Sequence, residues 1–439
     1  MADQPRPRRR AAADLAAGVL LEIVSRIPCE TDRIHMSRVC HPWRQALAKL
    51  DPPPPPPARP LPWLVLPNST GGGGGGAAPT FSCVLSGCRN HPFHLLEGAH
   101  EARYFGSYDG AWLFLAVGGR AQRHVLLNLN YGRVRDIFEL PDLARINPEN
   151  PNDRAMAIVA ATLSCKPTVK GCIAAGIIDS SPFLYAEGLV NRRIAFWRIG
   201  DQVVLPNIWM MPDEEFWGSS LTRHDDLIYH KGAFLFLSQQ EDILALEEPP
   251  VFCDDGVQLF AETMSFLPRL HDDDEIIETV LARYLVVSRD KLLMVVRISN
   301  QRRRWLTSES DDDVVAQHLP TSKFRVFQKK EFNKGEKDEP AQDPPNQFKY
   351  YWSELEKLEG RMLFVGRGCS RSYEVENGYP GMEGVYFLDD QIFHEPIIGN
   401  DANEVPYLCS DNGKWTPDLK IDGCFPQRDR MVCSLSVQF

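Results

Sequence analysis

The chain has 439 residues, of which 43% are hydrophobic and 24% are charged, so most of it can fold around packed cores. Its 59 acidic side chains outnumber its 48 basic ones, and the net charge of −11 argues against a duplex nucleic-acid binder. No run reaches the roughly 18 uninterrupted apolar residues of a membrane helix, and the first apolar segment carries charges that a secretory signal would lack. We therefore expect a protein of the cytoplasm or the nucleus, without nucleic-acid or membrane partners.

Composition divides the chain into four segments. Residues 1–11 form a basic tail that we expect to be disordered, and residues 12–50 have a helical pattern. Six consecutive prolines within residues 51–60 forbid a helix and predict a semi-rigid linker, or a ligand for an SH3-type domain. From residue 61 to residue 439, short apolar runs separated by turns predict strands.

The segment 12–50 predicts three short helices with more apolar surface than they can enclose. Leu20, Ile23 and Val24 follow the spacing of one helix face, and Pro28 ends that helix. About 40 residues make too small a globule to cover so many apolar side chains, so part of this surface is expected to face a partner. The residues predicted to contact the partner are Leu15, Leu20, Ile23, Ile34, Val39 and Trp43.

The stretch Cys40-His41 raises the question of a nucleophile beside its base. Adjacent side chains on a helix point about 100° apart, so the two cannot readily form such a pair. We expect Cys40 to be a packing residue and Trp43 to be an anchor for the partner or for the helix junction.

Other clusters of polar residues do not have the spacing of a known site. Cys83, Cys88, His91 and His94 are too closely spaced for the usual zinc fingers. The acidic runs in residues 271–275 and 311–313 lack the interleaved spacing of a calcium loop, and the Gly-x-Gly of residues 366–371 lacks a following helix. The sequence therefore predicts no catalytic residue, no metal site and no cofactor.

Beyond the linker, apolar runs rich in β-branched and aromatic residues predict strands, for example in residues 111–117, 124–129, 193–199, 282–288, 291–298 and 384–390. A turn residue followed by such a run recurs about every 60 residues. The recurring turn residues are Gly110, Gly171, Gly232, Asp290 and Gly360. This period favours a β-propeller of about six blades, although common turn and strand patterns can also align by chance.

The helical segment "DLAAGVLLEIVSRIPCETDRIHMSRVCHPWRQAL" resembles an F-box. Val39, Cys40, Trp43 and Arg44 match the Val-Cys-x-x-Trp-Arg ending of that motif, whereas Ala16 replaces the expected proline. From about residue 12 to residue 390, the order of short motifs is similar to that of the plant F-box family with a KIB-type β-propeller. Among these motifs are "LPWLVLP", "GSYDGAWLFL", "ARYLVVSRDKLLMVVRI" and "EGVYFLDD".

The resemblance implies a multidomain fold of α plus all-β type, with a three-helix F-box followed by a propeller of about six blades. It implies a non-catalytic substrate-recognition subunit of an SCF-type E3 ubiquitin ligase, which docks on a Skp-type adaptor and its cullin–RING core and presents an unidentified target protein. Two alternatives stay open: a propeller that binds proteins outside any ligase because its F-box has decayed, and a propeller hydrolase whose carboxylates converge on the central channel.

Overall fold

The fold is described from a computed structural model of the chain. The residues that it describes are 17–26, 30–48, 63–66, 80–83, 91–92, 102–109, 112–117, 123–128, 137–145, 153–179, 192–204, 206, 208–211, 215–216, 224–247, 250–253, 256–269, 279–300, 320–332, 348–377, 381–387, 413–417, 419–422 and 436–437. The predicted basic tail and the proline linker lie outside these residues.

Three helices form a small cluster near the start of the chain, as the apolar spacing predicts. They are α1 (Ala17–Arg26), α2 (Glu30–Val39) and α3 (His41–Ala48). α3 packs against both α1 and α2. The core of this helical cluster consists of buried Leu20, Val24, Met36 and Trp43, with Cys40 and Leu47 partly buried beside them.

Short strands make up nearly all of the remaining described chain. The first half are β1 (Trp63–Leu66), β2 (Thr80–Cys83), β3 (His91–Pro92), β4 (Arg103–Tyr108), β5 (Trp112–Val117), β6 (Arg123–Asn128), β7 (Ile137–Glu139), β8 (Leu143–Ala144), β9 (Arg154–Ala155), β10 (Ala157–Leu163), β11 (Ile173–Asp179), β12 (Arg192–Arg198), β13 (Val203–Val204), β14 (Ile208–Met211) and β15 (Glu215–Phe216). The second half are β16 (His224–His230), β17 (Ala233–Ser238), β18 (Ile243–Glu247), β19 (Val251–Cys253), β20 (Gly256–Met264), β21 (Thr279–Ser288), β22 (Lys291–Ser299), β23 (Lys323–Glu331), β24 (Tyr350–Glu354), β25 (Arg361–Val365), β26 (Arg371–Glu374), β27 (Gly384–Phe387), β28 (Gly413–Thr416), β29 (Leu419–Asp422) and β30 (Ser436–Val437). The six apolar runs singled out from the sequence all fall on strands, namely β5, β6, β12, β21, β22 and β27.

The sheets are arranged around a common axis. Their strand orders, within the described part of the chain, are β3-β2-β1-β30, β4-β5-β6-β7, β10-β11-β12, β13-β8-β9, β15-β14-β20-β18-β17-β16 with β19 also on β20, β21-β22-β23-β24, and β26-β25-β27-β28-β29. Successive edge strands β4, β10, β16, β21 and β26 contact one another, and β30 contacts β4. These inner strands surround a centre from which the sheets radiate, as blades do in a β-propeller.

Hydrophobic cores lie between successive sheets rather than within one central core. Along β22, alternate residues point to opposite faces. Met294, Val296 and Ile298 belong to the core shared with the β16–β18 sheet, whereas Leu293 and Val295 belong to the core shared with the β25–β27 sheet. Because both faces are covered, such strands read as continuous apolar runs in the sequence.

The recurring turn residues of the sequence mark hairpins that leave the inner strands. Lys231 and Gly232 connect β16 to β17 with φ values of 51° and 81°. Arg289 and Asp290 connect β21 to β22 with φ values of 50° and 60°, so the predicted turn residue Asp290 lies in a hairpin. Two-residue loops with positive φ at both positions are type I′ turns, whose twist matches that of the flanking strands.

The last recurring turn residue, Gly360, has a different place in its sheet. Gly360, with a φ of 78°, precedes β25, and the inner strand β26 follows β25 in the chain. β25 pairs antiparallel with β26 and parallel with β27. In this sheet the chain therefore enters at the second strand and reaches the centre through the turn that joins β25 to β26.

The turn between β16 and β17 offers a test of the type I′ assignment. Replacing Lys231 by Asn should raise the free energy of unfolding by about 0.5–1 kcal/mol, because asparagine tolerates a positive φ better than lysine does. Thermal and urea unfolding would measure the change. Lys170→Asn, at an exposed position without positive φ, is the matched control and should leave the stability unchanged. Equal effects at both positions would contradict the assignment.

Candidate functional site

The residues predicted to contact a partner from the helical cluster do not share one environment. Leu20 and Trp43 are buried, with 1% and 9% of their surface exposed, so they hold the three helices together and do not face outward as expected. Ile23 is 37% exposed and Val39 is 57% exposed. Leu15 and the side chain of Ile34 lie outside the described residues.

The reason for this difference lies in the register of α1. Leu20 and Val24 are one turn apart and point into the cluster, whereas Val19 and Ile23 make a second apolar row one residue earlier. Adjacent residues differ by about 100° around a helix, so the second row lies outside. Val19 is 47% exposed and was not among the predicted contact residues. Among the described side chains of the helical cluster, the exposed large apolar ones are Val19 and Ile23 of α1 and Val39 of α2, a set that we call the outer row.

At the centre of the propeller, the turn Gly366–Ser370 between β25 and β26 packs tightly against the inner strands. The backbone N–H of Gly368 donates to Asp226 Oδ1 at 2.6 Å, and Arg367 donates to the backbone oxygen of Asp225. Gly368 has a φ of 70°, and a Cβ atom there would lie 2.6 Å from the backbone oxygen of Ala161. We call residues 366–370 the central turn.

Asp226 joins three segments of the chain at this point. Its Oδ1 also accepts the backbone N–H of Leu227, and its Oδ2 accepts that of Leu285 on β21, each at 2.8 Å. The side chain is fully buried, and burial raises its pKa to about 7, against the opposing effect of the backbone N–H donors and of Arg367. Its carboxyl group is a structural acceptor that fixes the central turn.

Two more acidic side chains near the centre are held by arginines. Arg283 donates to Asp225 Oδ2 at 3.0 Å and to Glu241 Oε1 at 3.1 Å, and Arg269 donates to Glu241 Oε2 at 2.6 Å. Burial raises the pKa of Glu241, but hydrogen bonds and charges from Arg269 and Arg283 outweigh it and hold this pKa below its usual range. The carboxylates of Asp225 and Glu241 are therefore paired with arginines, and these ion pairs join β16 to β21 and its neighbours.

A cavity of about 430 Å³ lies beside the central turn, where the inner strands reach their recurring hairpins. The inner strands β4, β10, β16, β21 and β26 and the central turn contribute to its wall. Among the lining residues are Tyr108 of β4, Thr162 of β10, His230 of β16, Val287 of β21, Ser370 of the central turn and Arg371 of β26. We call this space the central cavity. It is within the size range of sites that hold small molecules or short peptide segments.

Charged and phenolic groups make the central cavity polar. Asp109 forms an ion pair with Lys166 at 3.3 Å at the exposed rim. Burial and the nearby Asp109 raise the pKa of Tyr108 to about 12, whereas the charge of Arg371 acts to lower it. The Tyr108 phenol is therefore protonated at neutral pH and can donate a hydrogen bond.

Sequence reasoning missed the central cavity, although the period contained a signal for it. Tyr108 and His230 each lie two residues before a recurring turn glycine. Each is therefore the last residue of an inner strand, next to the hairpin turn that follows it. The Gly-x-Gly of residues 366–371, dismissed as a nucleotide motif, belongs to the central turn. Its close approach to Ala161 has no local signature in the sequence.

The remaining sequence candidates, which include Cys83 and His91, have side chains outside those that the structure describes. Within the described residues, no group of three or more His, Cys, Asp or Glu side chains is arranged to hold a metal ion. Cys88, His94, residues 271–275 and residues 311–313 lie outside those residues. In the same part of the chain, no helix combines the length and apolar character needed to cross a bilayer.

Because both carboxylate oxygens of Asp226 accept hydrogen bonds, replacing one of them by an amide group is expected to destabilise the fold. Asp226→Asn should lower the free energy of unfolding by about 1–3 kcal/mol, because its amide group would face an N–H donor of Leu285, Leu227 or Gly368. Asp201→Asn is the control, since Asp201 accepts a backbone N–H in an exposed turn. Equal costs at both positions would contradict the role.

The same variant tests the raised pKa. A group whose pKa is higher in the folded state stabilises the fold below its unfolded pKa, and this contribution is lost as the pH rises through the folded value. The stability of the parent should therefore decline between about pH 4 and pH 7 more steeply than that of Asp226→Asn. Parallel pH profiles of unfolding for the two proteins would show that the pKa is not raised.

The close approach at Gly368 predicts a second effect. Gly368→Ala should destabilise the propeller clearly more than Gly232→Ala, since both glycines have positive φ but only Gly368 meets the backbone of Ala161. The strain of positive φ costs about 1–2 kcal/mol in each variant, so the excess in Gly368→Ala measures the contact. Calorimetric unfolding of the two variants would show the difference. Similar losses of stability in both variants would contradict the tight packing of the central turn against Ala161.

Comparison with known proteins places the propeller in a family. A family model described as KIB1-4 beta-propeller matches residues 81–411, which is more than half of the chain. Comparison with curated proteins gave no match. The matched range includes the inner strands β4, β10, β16, β21 and β26 with the central cavity between them. The chain belongs to the KIB1-4 beta-propeller family.

Proposed function

We propose that this protein is a substrate-recognition subunit of an SCF-type E3 ubiquitin ligase, in which the helical cluster is an F-box. The observation that carries the proposal is the outer row of Val19, Ile23 and Val39, which leaves apolar side chains exposed on a three-helix unit ahead of a propeller. Exposed apolar side chains on short helices suit docking to another helical protein.

The ending that resembles an F-box has a structural reason in the helical cluster. Trp43 fills the core, and the Nε of Arg44 donates to the backbone oxygen of Ser37 at 3.3 Å. The backbone N–H of Arg44 also donates to the oxygen of Cys40 at 3.1 Å. These contacts tie α3 to the end of α2, which carries Val39 in the outer row. The motif thus supports the proposal by fixing the position of an exposed residue.

In the proposed complex, the outer row binds a Skp-type adaptor that is attached to a cullin–RING core. The propeller is a protein-interaction module, and it would hold a target protein close to the ubiquitin-charged enzyme. Such tethering raises the effective concentration of the target lysines without any catalytic group in this chain. The complex would act in the cytoplasm or the nucleus.

We also propose six blades for the propeller. The inner strands β30, β4, β10, β16, β21 and β26 each start a different sheet of the described chain, and five of the junctions between them are contacts. The sheet β3-β2-β1-β30 would be the blade that joins the two ends of the propeller.

The adaptor proposal is tested with surface variants that spare the core. Ile23→Asp combined with Val39→Asp should lower the affinity for a purified Skp-type adaptor at least about tenfold, because two apolar contacts are replaced by charges. Binding of the full chain would be measured by pull-down and by titration.

Val169→Asp is the matched control, since Val169 is 52% exposed on the propeller. The control should bind as the parent does, and all three proteins should have the same melting temperature. If the double variant binds the adaptor as well as the parent, the outer row is not the contact surface. If the parent itself fails to bind, the chain acts as a propeller module outside such a ligase.

A further inference from the structure

The guanidinium of Arg371 is the feature of the central cavity that points to a ligand. Arg371 and Ser372 are neighbours on β26, so their side chains leave opposite faces of the strand. Ser372 donates to Ser288 of β21 at 2.8 Å, and Glu374 binds Arg289 at the end of β21. Arg371 therefore points away from β21 and lies near Tyr108 across the central cavity.

Arg371 has no counter-charge in the described part of the chain. No described Asp or Glu oxygen lies within 4 Å of its guanidinium, whereas the neighbouring Arg289 binds Glu374 and the rim carboxylate Asp109 binds Lys166. Arg371 therefore differs from Arg269 and Arg283, whose ion pairs join strands at the centre.

Two other residues that line the central cavity, Tyr108 and His230, can donate hydrogen bonds. Tyr108 carries a protonated hydroxyl, and burial together with Lys231 keeps the pKa of His230 below its usual value, so its neutral ring can donate one N–H. Ser370 and the central turn form the adjoining wall, and Asp226 holds this turn in place. The central turn therefore has a fixed position, and the wall presents the Arg371 cation and two neutral donors, with the Asp109 carboxylate paired to Lys166 at the rim.

We propose that the central cavity binds a carboxylate group, with Arg371 as a bidentate partner and Tyr108 as an additional donor. Planar guanidinium groups match carboxylates in geometry and form strong charge-assisted pairs with them. The carboxylate comes from an acidic side chain of an extended peptide segment or from a free small carboxylic acid. The net charge of −11 gives no long-range attraction for such a ligand, so its recognition depends on these short-range contacts.

This inference does not depend on the ligase proposal, because the central cavity belongs to the propeller and its test needs no adaptor. The probe is a fluorescein-labelled peptide of alternating glutamate and glycine, with a glutamine version of the same peptide as its neutral counterpart. Fluorescence polarisation with the full chain should show binding of the glutamate peptide and at least about tenfold weaker binding of the glutamine peptide.

Variants assign the contact to the central cavity. Arg371→Gln should weaken binding about tenfold or more, Arg371→Lys should weaken it less, and Tyr108→Phe should weaken it about fivefold. Arg123→Gln is the matched control, because it removes the same charge from an arginine that is 62% exposed elsewhere on the propeller. This control should bind as the parent does.

Competition with glutarate distinguishes the two sources of carboxylate. Displacement of the peptide by glutarate at similar concentrations indicates a small-acid site, and displacement only at much higher concentrations indicates a peptide site. Unchanged binding in Arg371→Gln and Tyr108→Phe would overturn the proposal, as would equal binding of both peptides or the absence of binding by the parent. Should Arg371→Gln fail to fold, Tyr108→Phe and Arg371→Lys decide the outcome.

Discussion

Apolar side chains on both faces of strands such as β22 are the constraint from which the propeller follows. A strand such as β22 sends Met294 to one neighbouring sheet and Leu293 to the other, so its sheet would expose an apolar face to water if it were packed on one side only. Each sheet is stable only between two others, and a closed ring is the arrangement that leaves no sheet with an uncovered face. The cores are therefore repeated interfaces, and stability is distributed around the ring.

The polar contacts at the centre have a different role, because they keep the strands that end near the axis in register. Asp226 accepts N–H groups from three segments, and Arg283 bridges Asp225 and Glu241. Such buried contacts are stabilising only when every polar group has a partner, and here nearly all the partners come from other sheets or from the central turn. The same construction leaves Arg371 facing the central cavity, where a group from outside the chain can complete it.

Patterns in the sequence predict the elements and their period well, because these depend on local spacing. The helices, the apolar strands and the hairpin at Arg289 and Asp290 all follow from such spacing. The inward face of α1 does not, since Leu20 with Val24 and Val19 with Ile23 are equally regular rows and only packing against Trp43 and Met36 decides between them. The need for glycine at residue 368 arises from Ala161, which is distant in the chain and leaves no mark on the local sequence.

The sheet that contains the central turn differs from the others in its chain order. The interval before Gly360 is longer than the others, and the chain there reaches its inner strand β26 only after β25. This reversed order is what brings the turn 366–370 to the axis.

The pairing of β1 with β30 has a consequence for how the protein is made. Trp63 and Leu64 lie opposite Val437 and Ser436, so this sheet combines strands from opposite ends of the propeller sequence. During synthesis the strands of the other sheets leave the ribosome first. The ring cannot close until Ser436 has also left it, because β30 pairs with β1. The three helices are translated long before that point and can fold while the ring is still open.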